Sequence, residues 1–228
     1  GAAPGATIID ALSTLKIMGL ESRYQDAVAW AKDFDFRSGG KKVSFFETTI
    51  RDLAGLLSAY DLSADPALLA KAEEIGDGLM GAFKSPTTQN GSRPVTAIPF
   101  PQGNLETQEA EAGWQGSNSL LAEMGTIQLE MRHLSHLTNS EKYADAVDRI
   151  SRILQRKQSD PPAGLWNTYI NRDSTEDGSP TLFTFGAMSD SAVRVASTNR
   201  SIYSVHCADL QHLRHYCCSA TFLCLLSA

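Results

Sequence analysis

The stretch Val43-Ser-Phe-Phe-Glu-Thr-Thr-Ile-Arg-Asp-Leu-Ala-Gly-Leu-Leu-Ser-Ala-Tyr60 limits what this chain can fold into more than any other. Val43, Phe46, Ile50, Leu53 and Leu57 recur at three- and four-residue spacing, the signature of a helix with one well-buried face. Thr48, Ala54, Gly55, Ser58 and Ala59 keep much of the remaining surface small. Neighbours can then approach from more than one side, which makes this an inner helix. Glu47 and Arg51 sit on it one turn apart, over the same patch of surface. In an enclosed pocket they offer a candidate acid or base and a clamp for an oxygen-rich substrate. On a solvated face they are an ordinary ion pair worth a few tenths of a kcal/mol.

Helical periodicity continues on both sides. Over residues 6–18, Ile8, Leu12 and Leu15 share a face with Ile9, Ile17 and Met18 beside them, which predicts a buried helix ending near Gly19. Asp10 and Thr14 lie on its polar line. Tyr24 and Val28 mark a short helix over 21–31, and Ser38-Gly-Gly40 breaks the chain before the inner helix. Asp65 and Pro66 suit the cap and first position of a helix carrying Leu68, Leu69, Ala72, Ile75, Leu79 and Phe83. Pro86, Gly91, Pro94, Pro99, Pro101, Gly103 and Gly113 make residues 84–113 a long irregular passage. In a compact domain such a connection is more often functional than passive.

Leu120, Met124, Ile127, Met131 and Leu134 predict a helix from about Ser119 to Leu137. Glu123 and Glu130 lie close to that stripe, a costly place for a carboxylate unless it meets water, a cation or a donor. Tyr143, Val147, Ile150 and Leu154 predict a further helix, from Asn139 or Ser140 to Lys157, and Pro161-Pro162 ends that region. Gly164 to Asn171 reads as one arm of a small hairpin, Asp173 to Pro180 as its turn and Thr181 to Phe185 as the return arm.

Composition excludes several functions. The 228 residues suffice for one substantial domain or two small ones, and 42% apolar with 20% charged residues describes a folded soluble protein. A net charge of -6 argues against nucleic-acid binding through a basic field. Arg149, Arg152, Arg156 and Lys157 do not rescue it, being interleaved with Asp145 and Asp148. No apolar run of membrane-spanning length and no signal-peptide pattern occur, and the start at Gly1-Ala-Ala-Pro-Gly suggests an internal beginning in a longer protein.

Cys207, Cys217, Cys218 and Cys224 all fall at the end, so residues 1–206 fold without internal disulfides. With His206, His212 and His215 they invite a zinc site, but their spacing matches none of the usual paired arrangements. No βαβ alternation, glycine-rich phosphate loop or serine nucleophile elbow occurs. A toroid of paired helices and a helical repeat scaffold remain, and the lack of a repeated residue signature favours the toroid.

The blocks Gly5-Ala-Thr-Ile-Ile-Asp-Ala-Leu-Ser-Thr-Leu-Lys-Ile-Met-Gly-Leu20, Ser44-Phe-Phe-Glu-Thr-Thr-Ile-Arg51, Gly55-Leu-Leu-Ser-Ala-Tyr-Asp-Leu-Ser63, Leu121-Ala-Glu-Met-Gly-Thr-Ile-Gln-Leu-Glu130, Leu134-Ser-His-Leu-Thr138, Gly164 to Asn171 and Phe185-Gly-Ala-Met-Ser-Asp-Ser191 carry a resemblance. In this order they resemble the inverting, calcium-dependent α-1,2-mannosidases of glycoside hydrolase family 47, over the amino-terminal half of that domain. The resemblance implies an all-α fold, an incomplete (α/α)7 barrel or toroid with a small β-hairpin near 164–186. It implies that Glu47 is the general acid, working on the glycosidic oxygen directly or through a water, and that Arg51 binds sugar in the same pocket. Asp190 matches an acidic residue assisting near the scissile bond, and Glu123 and Glu130 match carboxylates of the cavity wall. High-mannose oligosaccharide is the implied partner, Ca2+ the cofactor of the complete family domain, and the secretory pathway, Golgi or endoplasmic reticulum, or secretion the implied location.

The chain also departs from the family. Ala3 or Pro4 and Lys16 stand where family members carry tryptophan, Ser13 where they carry aspartate and Ser189 where they carry glycine. After Asp190-Ser191 an aromatic-rich helix is replaced by Ala192-Val-Arg-Val-Ala-Ser-Thr198. Residues 1–191 are therefore expected to be a partial catalytic domain and 192–228 a divergent tail, better explained by a frame change, retained intron or mistaken gene model than by a new module. With it go the expected catalytic base and a calcium-holding threonine, so no metal ligand is assigned. The expectation is a chain that folds poorly or associates alone and hydrolyses mannosides negligibly. A noncatalytic protein binding mannose-rich glycans in quality control and a nonfunctional helical fragment are the alternatives.

Overall fold

The computed structural model describes residues 1–38, 40–86, 91–157 and 165–195. Helix α1 (Ala6–Ile17) packs on α2 (Glu21–Asp33) and on α3 (residues 45–63), and α4 (Pro66–Leu79) packs on both α3 and α2. Two layers result, α1 beside α3 and α2 beside α4. The close approach of α1 and α3 depends on Gly55, where a Cβ would lie 2.8 Å from the Ile9 carbonyl oxygen. Asp65 caps α4, accepting the Ala67 N–H at 3.0 Å ahead of Pro66, as the sequence indicates. Helix α5 (Leu121–Gly125) meets the first turn of α3, α6 (Gln128–Thr138) lies against α3 and α4, and α7 (Lys142–Lys157) covers α6. The arc is all-α with small antiparallel β elements and matches an incomplete (α/α) toroid.

The apolar stripes of α2, α4 and α7 are buried as their periodicity requires. Other expectations are corrected. Val43 belongs to β1 (Lys42–Ser44), which pairs with β2 (Gln102–Asn104), and β2 pairs with β3 (Ala110–Glu111). Residues 84–113 thus hold two strands. Helix α3 starts at Phe45 because Ser44 is extended and its hydroxyl accepts the Glu47 N–H. Its middle, Thr48–Leu53, is π-helical. The additional residue in that turn rotates the buried set to Phe45, Thr48, Thr49, Asp52, Leu53, Leu56 and Leu57, leaving Phe46 and Ile50 half-buried.

The helix anticipated over 119–137 is divided into β4 (Asn118–Leu120), α5 and α6, although all five residues of its stripe are buried. Ile17 and Met18 are 60% and 65% exposed, because α1 ends before a neighbour covers them. The chain does fold back after β5 (Tyr169–Asn171): Asn171 N–H donates to Glu176 O at 2.8 Å and Gly178 N–H to Tyr169 O at 2.7 Å. Residues 176–178 pair with β5, while of the expected arm Thr181 to Phe185 it is Leu182 that returns, its carbonyl accepting the Thr168 N–H at 2.7 Å and its N–H donating to Asn167 Oδ1 at 2.8 Å, and β5 pairs on its other edge with β4. The zinc candidates Cys207, Cys217, Cys218, Cys224, His206, His212 and His215 lie outside the described residues, as does the tail beyond residue 195. No helix among the described residues is long and apolar enough to cross a membrane.

Candidate active site

Ser44 and Glu47 have the spacing of a capping box, in which the glutamate would reach back to the serine N–H. Here that N–H donates to Gly1 O at 2.7 Å, so the Glu47 side chain is not needed at the cap. It accepts instead from Arg51 Nε at 2.6 Å. Arg51 Nη1 lies 3.6 Å from Asp10 Oδ2, which links α1 to α3 through a line Asp10–Arg51–Glu47. Burial raises the Asp10 carboxyl above its ordinary range against the opposing pull of Arg51. The Glu47 and Arg51 side chains are 33% and 45% exposed, so the pair is reachable from solvent rather than enclosed.

Asp52, the next residue, is fully buried and was not indicated by the sequence. Its Oδ2 accepts the Ala3 N–H at 3.1 Å while Oδ1 has no hydrogen-bond partner. Burial pushes its carboxyl up to about 7, and the nearby Asp10 charge adds to the rise. The sequence places Asp52 beside the apolar positions of a helix that also carries Glu47, Arg51 and Asp61, and it lies buried within the π-helical turn.

Glu123 is half-buried in the first turn of α5, with Gln115 Nε2 at 3.3 and 3.2 Å from its two oxygens. Burial raises its carboxyl, while the Leu120 backbone, Gln115 and the Arg172 charge pull it down. Glu130 is buried on α6 with Oε2 unpartnered, and burial pushes it up to about 7 although His133 opposes the shift. Asp190 is exposed. Its segment is pinned to the α5 flank: Ala122 N–H donates to Met188 O at 2.8 Å, Thr126 Oγ1 donates to Ser191 Oγ at 2.9 Å, and Ser189 Oγ is 2.9 Å from Thr168 Oγ1.

The structure thus joins Glu47 to Arg51 directly, and the packing of α5 and α6 on α3 brings the elements carrying Glu123 and Glu130 alongside them. The five candidate side chains do not form one hydrogen-bonded cluster. Calcium takes about six to eight oxygen ligands. Among the described residues no group of three or more His, Cys, Asp or Glu side chains is gathered to hold a metal, so these residues alone do not fit such a cage.

Comparison with known proteins identifies the family. The chain is 42% identical over 188 residues to the mannosyl-oligosaccharide 1,2-alpha-mannosidase MNS1 of Arabidopsis thaliana, covering 82% of this chain and 32% of that protein. It is 39% identical to the endoplasmic reticulum mannosyl-oligosaccharide 1,2-alpha-mannosidase of Rattus norvegicus, over 82% of this chain and 27% of the relative. The solved alpha-1,2-mannosidase from Trichoderma reesei superposes with a TM-score of 0.67 at 25% identity, covering 82% of this chain and 40% of that one. The chain therefore spans about a quarter to a third of the length of the curated relatives it matches. Residues 2–195 match the family model described as Glycosyl hydrolase family 47, and the chain belongs to that family.

Proposed function

We propose that this chain carries the general-acid part of a site that hydrolyses terminal α-1,2-linked mannose from high-mannose N-glycans with inversion, in the secretory pathway, and that alone, without the expected catalytic base, it releases mannose only residually. The observation that carries this reading is the solvent-reachable Glu47 carboxyl, held by Arg51 where α1 meets α3, in a chain related to 1,2-α-mannosidases. Glu47 gives its proton to the glycosidic oxygen, directly or through one water, as the bond to the anomeric carbon breaks. Inversion also requires a water on the opposite face whose proton passes to a carboxylate about 6.5–9.5 Å from the acid, and that base is not assigned to any residue of this chain. Arg51 holds sugar hydroxyls with its remaining N–H groups, Asp190 assists near the scissile bond, and Glu123 and Glu130 line the sugar pocket.

Mannose release from an α-1,2-linked dimannoside, assayed with and without calcium, tests this. Release that Glu47→Gln lowers by about 100-fold or more supports the reading, since a positioned acid contributes roughly 10²–10⁴. Equal release by the variant overturns it. A second reading, glycan binding without turnover, is favoured by one contact: Glu47 accepts the short bond from Arg51, whereas an acid must donate. Dimannoside binding by a wild-type chain that releases no mannose would establish that reading.

A further inference from the structure

Glu123 does not hold its own position. The loop before β4 bends at Gly113 and Gly116, whose φ values of +65° and +60° are left-handed, and between them it turns Gln115 inward until it is only 8% exposed. Gln115 Nε2 then lies 3.3 and 3.2 Å from both Glu123 oxygens. The amide nitrogen faces the carboxylate because the amide oxygen would be repelled there.

A second side chain fixes the loop. Arg172, 5% exposed, donates through Nη2 to Gly116 O and through Nη1 to Asn118 O and, at 3.4 Å, to Ser119 Oγ. Its backbone N–H reaches Ser117 O at 2.9 Å, and its guanidinium lies 4.5 Å from the centroid of the Phe100 ring. The arginine thus ties β5 to residues 116–119, and those residues carry Gln115.

We infer that Gln115 and Arg172 are positioning residues: Gln115 clamps the Glu123 carboxylate as an oriented anion for a substrate hydroxyl, and Arg172 braces the loop that delivers the clamp. The inference rests on the reading that Glu123 faces substrate. The charged and polar groups that act on its carboxylate are the Leu120 backbone, the Gln115 amide and the Arg172 guanidinium. The first ends β4, the second lies in the loop before it and the third follows β5.

The test is the titration of the Glu123 side-chain carboxyl by carbon NMR in the full chain and in Gln115→Met, which keeps the volume but loses both donors. Loss of the clamp moves the midpoint upward by about one pH unit, tenfold in protonation. Local unfolding moves it the opposite way, toward the exposed-glutamate value of 4.5. An unchanged or lowered midpoint overturns the inference. Arg172→Met, which removes the charge and the brace together, should move the midpoint up as well, and an unmoved value there overturns the role of the arginine. Dimannoside affinity, measured on the same samples, separates the two readings. An upward midpoint with affinity weakened about tenfold supports both, whereas an upward midpoint with no binding by the wild type overturns the substrate role of Glu123 and leaves the clamp standing.

Discussion

Asp52 has the clearest pH signature of any side chain in the described molecule. In the unfolded chain it titrates near 3.8, in the fold at about 7, because burial disfavours the anion. With a raised folded value, its contribution to stability is fully present below 3.8 and is lost as pH rises through about 7. The loss is on the order of 4 kcal/mol at about 1.4 kcal/mol per unit. Asp52→Asn keeps an acceptor for the Ala3 N–H and has no anion to bury. Urea unfolding from pH 4 to 8 should show the wild type weakening while the variant stays nearly level and is the more stable at pH 8. Glu130, raised from 4.5 to about 7, acts in the same direction, so Glu130→Gln should remove a further part of the slope. A pH-independent wild type would contradict both assignments.

At the scale of elements, the contact of α1 with α3 sets the position of the Asp10–Arg51–Glu47 line. Gly55→Ala puts a methyl 2.8 Å from the Ile9 carbonyl oxygen and 2.9 Å from its Cγ2, both on a helix that cannot yield locally. Overpacking of this kind costs about 1–3 kcal/mol, so thermal melting should show a lowered midpoint. If Glu47 reads α1 through Arg51, the dimannoside assay should register the change as well. Ser44→Ala removes the cap of α3 and should cost about 1 kcal/mol in urea unfolding.

For the molecule as a whole, the packed arc leaves apolar surface where α1 meets α2, with Ile17, Met18 and Leu20 all exposed. Substitution of exposed positions changes stability by only about 0.5 kcal/mol or less, and charge there reduces association through the apolar surface. Ile17→Lys combined with Met18→Lys should therefore leave the urea midpoint nearly unchanged and lower self-association, read by sedimentation velocity. A large drop in stability would mean that these side chains are covered in solution.

Local periodicity determined the buried stripes of α2, α4 and α7, the cap at Asp65 and the blocks that identify the family, because each depends on residues within a few turns of one another. Glu47 and Arg51 were legible as a pair for the same reason: one helical turn separates them. What the pair does was decided elsewhere. Gly1 O had to occupy the Ser44 N–H before the Glu47 side chain was free for Arg51, and Asp10 had to arrive from α1. The strand that claims Val43 pairs with residues 102–104, buried Asp52 accepts the Ala3 N–H, and the loop that turns Gln115 onto Glu123 is held by Arg172, all contacts between segments distant in the chain. A one-dimensional pattern records which side chains prefer to be buried. The partner that satisfies a buried polar group is set only when the backbone folds back on itself.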